Sequence, residues 1–261
     1  MEVRTQELIR YILPMREGGS LPVLGEADDG FKYVVKLRGA GHGKKALIAE
    51  FLGSMIAKAF KFNVPETVLL DLPGVFGITE PDQEVQELLR NSEGLNVGLH
   101  YLSGAATFDP AVNAVDSLTA AKILWLDAFL TNVDRTRLNP NMMVWNNGLW
   151  LIDNGASFYF HHSWRDPQKA ALDPFPYISN HVFLRYADRL EEADRLMRQA
   201  ITPRTLLKIV DLVPREWLEE ENSDITAEER RLAYATFLSE RLKNSSVFVN
   251  EAVRQKKLLG L

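Results

Sequence analysis

Residues 132–155 read NVDRTRLNPNMMVWNNGLWLIDNG. This stretch holds two aspartates, Asp134 and Asp153, joined by a segment with the marks of a tight β-hairpin. Met142 to Trp145 and Leu149 to Ile152 are short apolar and aromatic runs, and Asn146-Asn147-Gly148 lies between them. Asn-Gly is a strong hairpin signal because both positions tolerate positive φ. Counting outward from Asn147, Asn141 and Asp153 each lie six residues away, so an antiparallel ladder brings both to the open end. Asp134 and Asn139 sit in the loop that feeds the first strand. Two carboxylates and one or two amide oxygens then converge, a donor set that suits Mg²⁺ and its phosphate ligands.

The 261 residues are 46% hydrophobic, enough for a sizeable core in one large domain or two lobes. A net charge of −5 argues against a protein that coats nucleic acid. With no cysteine, disulfides, thiolate metal sites and cysteine nucleophiles are excluded. The first residues carry scattered charges and no apolar core of a signal peptide, and no apolar run approaches the ~20 residues of a membrane span. The expectation is a soluble cytoplasmic protein without a membrane partner.

Outward from the central stretch, the first hundred residues read as strands. Residues 5–13 fit helix or strand. Glu17-Gly18-Gly19-Ser20 and Ala27-Asp28-Asp29-Gly30 are turns that bracket Leu21 to Leu24. Phe31 to Leu37 alternates, with Phe31, Tyr33, Val35 and Leu37 on one face and Lys32, Val34 and Lys36 on the other. The three strands form an antiparallel meander. Lys44 to Phe60 is helical, with Leu47, Phe51, Met55 and Ala59 in one stripe and Glu50 at its edge. The preceding GAGHGKK resembles a Walker A loop only superficially. Gly39 to Gly43 is one residue short, and Lys45 stands where a hydroxyl would bind Mg²⁺. Thr67 to Leu72 and Val97 to Leu102 are strand-like, with a polar helix or excursion at 80–94 between them. Ser103-Gly104-Ala105-Ala106 breaks the last strand and marks a junction. His100 there reads as packed rather than catalytic.

From residue 116 the pattern is helical. Asp116 or Ser117 caps a helix to about Thr131, with Asp127 as an acid among apolar residues. Residues 156–164 read as extended, so that His161 and His162 alternate faces and do not share a metal. Further helices are expected at 182–200, 203–212 and 226–253, the last opened by the capping box Thr226-Ala227-Glu228-Glu229.

The order of these elements resembles a protein kinase: strand lysine, helix glutamate, strand break, long helix, loop aspartate, asparagine, hairpin, metal aspartate. More particularly, NVDRTxxNPN followed by LWLIDxG resembles the catalytic stretch of a compact branch of the HipA-like kinases, a likeness that covers roughly residues 15–215. The resemblance implies an α+β, bilobal protein-kinase-like fold, with a β-rich N-lobe (1–103) and a mainly helical C-lobe (104–261). It also implies the roles of individual residues. Asp134 is the base that accepts a hydroxyl proton, and Arg135 stabilises charge beside it or binds a phosphate. Asp153 and Asn141 hold Mg²⁺, with Asn139, at the kinase spacing of five, as the alternate ligand. Lys36, braced by Glu50, grips the phosphates of ATP, and Val34 lies under the adenine. Either Gly18, Gly19 and Ser20 or the Gly39–Gly43 loop covers the triphosphate. The implied activity is ATP- and Mg-dependent transfer to a serine or threonine hydroxyl on a protein substrate. The chain has little room for the extra N-terminal subdomain of the larger HipA proteins, which puts a toxin role and an antitoxin partner in doubt.

Four other readings remain. A kinase-fold enzyme for a small-molecule or lipid substrate would keep all of these residues, and the same fold can transfer AMP. A pseudokinase would bind nucleotide without turnover. Taken singly, Lys36 and Glu50 are also ordinary surface charges and Asp153 an ordinary turn residue, which would suit a helical scaffold.

Overall fold

A computed structural model describes residues 2–15, 21–74, 76, 80–164, 166–220 and 223–261. It is a mixed α+β chain. Five strands, β1 (Thr5–Pro14), β2 (Val23–Ala27), β3 (Lys32–Lys36), β4 (Thr67–Leu72) and β5 (Gly94–His100), close into a barrel in the order β1-β2-β3-β5-β4. The expected meander β1-β2-β3 is present and antiparallel. The closure goes beyond it: β1 pairs in parallel with β4, Thr5 opposite Leu69 and Glu7 opposite Asp71. Register shifts along β1 at Leu8/Arg10 and Tyr11/Leu13 give it the bend a closed sheet needs. Tyr33, Val35, Val68 and Leu70 fill the interior. Space there is so short that a Cβ on Gly98 would stand 2.5 Å from Leu70 Cδ1. A short helix, α2 (Gln83–Arg90), is capped by Asp82 and lays Val85 and Leu89 on this core.

Alternation on β3 points Tyr33, Val35 and Leu37 inward and leaves Val34 and Lys36 on the outer face. Phe31 departs from the expected stripe. It precedes the strand, is half exposed, and rests edge-on against His100, ring centroids 5.4 Å apart.

The helix between β3 and β4, α1 (Lys44–Ala59), is not amphipathic. Leu47 through Ala57 are all buried, because β4 and β5 cover one side and later helices the other. Glu50 therefore lies in the interior at 1% exposure, not at the edge of a stripe. A second sheet joins β6 (Ala106–Thr107), which begins at the last residue of the expected break, to the hairpin β7 (Met142–Trp145) and β8 (Gly148–Leu151). The helices are α3 (Ser117–Leu130), α4 (Pro167–Ala171), α5 (Leu190–Ala200), α6 (Pro203–Val210), α7 (Arg215–Leu218), α8 (Ala227–Lys243) and α9 (Ser246–Leu258). α1 packs against α6 and α7 and shares one apolar core with α3, the hairpin and the C-terminal helices.

Two helical expectations and one extended one are corrected. The helix expected at 182–200 starts only at Leu190, since short 3₁₀ turns occupy 176–180 and 184–186. The one expected at 226–253 breaks at Asn244–Ser245 into α8 and α9; its capping box is formed, with Thr226 Oγ1 accepting from Glu229 N at 3.2 Å. Residues 159–162 are a 3₁₀ turn rather than extended chain, entered through Phe158 at φ 59°. No described helix is long and apolar enough to cross a membrane.

Candidate active site

The hairpin turn is Asn146-Asn147, with φ of 48° and 59°, and Gly148 pairs with Trp145. Both central residues are left-handed, as a two-residue turn matched to strand twist requires. The centre of the hairpin therefore lies half a residue before the expected one. Asn141 faces Ile152, whose N–H donates to the Asn141 carbonyl at 3.0 Å, and Asp153 comes one residue later. Asn141 and Asp153 both hold left-handed backbone, φ 48° and 54°. Such strain in residues with side chains persists only where surrounding contacts over-determine it.

Those contacts are supplied by Arg135. Its side chain is fully enclosed, and its guanidinium donates to Asp127 Oδ2 (2.7 Å), the Asn141 carbonyl, the Ile152 carbonyl (3.1 Å) and Asn154 Oδ1 (3.0 Å). The expected role beside Asp134 or on a phosphate is thereby corrected. All the Arg135 bonds run to protein atoms: one to Asp127 on α3, the others to atoms that start β7, end β8 and fix the Asp153-Asn154-Gly155 turn. Asp127 in turn accepts from Asn132 Nδ2 (3.0 Å) and lies 2.9 Å from His181 Nε2. Burial pushes the Asp127 carboxyl up, but Arg135 and then His181 outweigh it and hold it below the usual range. Asn132 Oδ1 accepts from Asp134 N at 3.1 Å, which sets the loop that carries Asp134.

Asn154 couples this network to the barrel side. Its N–H donates to Glu50 Oε2 (3.1 Å) and its Nδ2 to Ser54 Oγ (3.2 Å). Gly53 on α1 permits the approach, since a Cβ there would stand 2.4 Å from Asn154 Cβ. Lys36 Nζ lies 2.9 Å from Asp153 Oδ2 and 3.9 Å from Glu50 Oε2. Burial opposes the Lys36 charge, but Asp153 and Glu50 outweigh it, with a smaller contribution from Asp134, and its pKa stays above the ordinary value. Burial raises the Glu50 carboxyl, Lys36 opposes and Asp153 adds, leaving it above the usual range. Asp153 is held below its usual range, because Lys36 outweighs the effect of burial.

Lys36 is thus within electrostatic reach of Asp153, Glu50 and Asp134. Asp134 Oδ2 accepts from Asn139 Nδ2 (2.8 Å) and Asn141 Nδ2 (3.1 Å), so both candidate asparagines turn their amide nitrogens to Asp134 and leave their Oδ1 atoms for another partner. Val34 lies beside Lys36 on the outer face of β3. Gly18, Gly19 and Ser20 lie outside the described residues. The Gly39–Gly43 loop leads into the start of α1, and His42 and Gly43 line a separate cavity. At the expected junction, Trp145 Nε1 occupies the Ser103 carbonyl at 2.9 Å. His161 is buried against the Tyr234 hydroxyl, 2.8 Å from its Nδ1.

Asn154, Ser54 and His181 carry parts of this network that the sequence left unassigned. A buried acid within apolar α3 was the one local signal for Asp127, and nothing local signals that His181 meets it. For Mg²⁺ the donors fit: Asp153 has a 37% exposed carboxylate, and the asparagine Oδ1 atoms are hard oxygens. Among the described residues no three His, Cys, Asp or Glu side chains gather into a cage. An ion held by one carboxylate and an amide would take its other ligands from phosphates and water.

The model of a family described as HipA-like kinase matches residues 8–248. Among solved structures, the chain is similar to the Helicobacter pylori proinflammatory kinase CtkA, with a TM-score of 0.58 and 13% identity over 99% of both chains. That likeness establishes a shared fold. No curated protein matches the sequence. The match over most of its length, together with the lysine, glutamate and aspartates gathered at one site, places the chain in the HipA-like kinase family.

Proposed function

We propose that the chain is an ATP- and Mg²⁺-dependent phosphotransferase that acts on a serine or threonine hydroxyl of a protein, with the barrel and the helical part as its two lobes. The observation that carries this reading is the ion-pair cluster of Lys36 with Asp153 and Glu50. It provides a buried cation for phosphate oxygens beside a carboxylate partly open for a metal. Lys36 exchanges its contact with Asp153 for the α- and β-phosphates, while Glu50 keeps it oriented. Asp153 and Asn141 Oδ1 would hold Mg²⁺, which when bound would supply positive charge against the phosphate oxygens. Asn141 is preferred to Asn139 because it is tied to Ile152, next to Asp153, whereas Asn139 lies out on the exposed loop.

Asp134 orients the acceptor hydroxyl and accepts its proton as the new P–O bond forms and the bond to the leaving ADP oxygen breaks. Val34 lies under the adenine. The register supports Gly18, Gly19 and Ser20 as the cover of the triphosphate. Pro14 pairs with Val23 and Val23 with Val35, so the end of β1 and the start of β2 that flank these residues lie at the Lys36 end of the barrel. The test is Asp134→Asn, assayed by mass analysis for autophosphorylation and for transfer to a protein acceptor. Loss of transfer with folding and nucleotide binding intact is expected. Retained turnover would remove Asp134 as the base.

A further inference from the structure

A cavity of about 600 Å³ has neither Lys36 nor Asp153 in its wall. It opens at the N-terminus of α1, between the loop that leads into that helix, the segment after the 3₁₀ turn, and α7 and α8. Three independent features of its wall call for a negatively charged occupant.

The first is the helix end. Gly43 holds the cap position of this 16-residue helix without a side-chain bond, and among the described residues neither the Lys44 nor the Lys45 N–H has an acceptor. Free N–H groups and the helix dipole there favour an anion. The second is charge. Arg38, Lys44, Lys45 and Arg230 face the cavity, against the carboxylates of Glu219 and Glu220. Glu220 is shared between Arg230 (2.7 Å) and Lys45 (3.6 Å), Glu216 reaches Arg38 at 3.5 Å, and Lys44 Nζ donates to the Glu219 carbonyl. From opposite walls, His42 and His162 approach to 4.7 Å between ring centroids and add donors. The third is an excess of buried donors. Arg230 is 2% exposed, yet among the described residues its Nε has no hydrogen-bond partner, and neither has the buried Nε1 of Trp164. Unmet donors inside a protein are costly, and an oxyanion supplies the acceptors they lack.

We propose that this cavity binds a phosphate-bearing small molecule, its phosphate at the start of α1 between Lys45, His42 and His162. The volume is that of a small-molecule pocket and exceeds the need of a bare ion. Trp217 and Ile48 supply the apolar wall for the organic part. Nothing in this inference depends on the phosphotransfer reading.

The test is calorimetric titration of phenyl phosphate, without nucleotide, into four proteins: the wild type, Lys36→Met, the double variant Lys45→Met with His162→Gln, and Glu220→Gln. The wild type and Lys36→Met are expected to bind alike. The double variant should lose about tenfold or more in affinity, and Glu220→Gln, which removes a competing carboxylate, should bind more tightly. No binding to the wild type would overturn the proposal. So would loss in Lys36→Met, which would put the phosphate in the nucleotide site, or unchanged affinity in the double variant. Should the double variant fail to fold, Glu220→Gln decides alone: weaker or equal binding there refutes the assignment.

Discussion

Replacing Arg135 by methionine separates a structural role from a catalytic one. The guanidinium is the main counter-charge of Asp127, which is fully buried, and it also ties together the ends of β7 and β8. Methionine fills much of the space and offers no donor. The Asp127 carboxylate would keep only Asn132 and His181. Breaking a buried ion pair by removing one partner costs about 3–5 kcal/mol. For a chain of this size that corresponds to a fall in Tm of roughly 6–20 °C. The Asn141 carbonyl retains the Ile152 N–H, so it adds little to the loss. Thermal and urea unfolding would measure the effect. The double variant Asp127→Leu with Arg135→Met should recover much of the stability, because it removes the stranded charge as well. If Arg135→Met unfolds within about 0.5 kcal/mol of the wild type yet loses phosphate transfer, Arg135 acts on substrate and the structural assignment is wrong.

Gly53→Ala separates two opposed effects. Alanine in a helix is ordinarily worth about 0.5–1 kcal/mol over glycine, but its Cβ would here collide with Asn154. A net loss of about 1–3 kcal/mol, with weakened nucleotide binding, is expected in chemical denaturation and titration; a gain in stability would deny that the Asp153-Asn154-Gly155 turn is pressed on α1. A third prediction concerns pH. The folded Glu50 carboxyl titrates above its ordinary value of 4.5, so its contribution to stability is present below that value and is lost as pH rises through the folded pKa. Measured by urea unfolding from about pH 7 to about pH 4, the wild type should gain on Glu50→Gln as pH falls. A difference that moves the other way would mean that Lys36, rather than burial, dominates Glu50.

How much of this was legible in the sequence differed by element. The hairpin was, because a two-residue turn demands left-handed backbone and Asn146-Asn147 accepts it; the choice between that pair and Asn147-Gly148 shifts the centre by one residue, and composition does not resolve it. The Lys36 face was also legible, since alternation on β3 is a local property. Barrel closure was not, because the Thr5–Leu69 pairing joins segments without any local mark of their partnership. Glu50 was located on its helix, but the environment of α1 was misjudged. Periodicity signals an amphipathic helix, and a helix covered on both sides has no such period. Arg135 illustrates the same limit. Adjacent to Asp134 in sequence, it turns inward because Asp127, eight residues earlier, waits for it there.

Magnesium-dependent nucleotide binding tests the proposed activity most directly. ATP would be titrated, with and without Mg²⁺, into the wild type, Lys36→Met and Asp153→Asn. The expected result is binding to the wild type that tightens with Mg²⁺, loss of that increment alone in Asp153→Asn, and weak binding under both conditions in Lys36→Met. Equal affinity in all three proteins, or none in the wild type, would contradict a nucleotide site built on the Lys36–Asp153 pair.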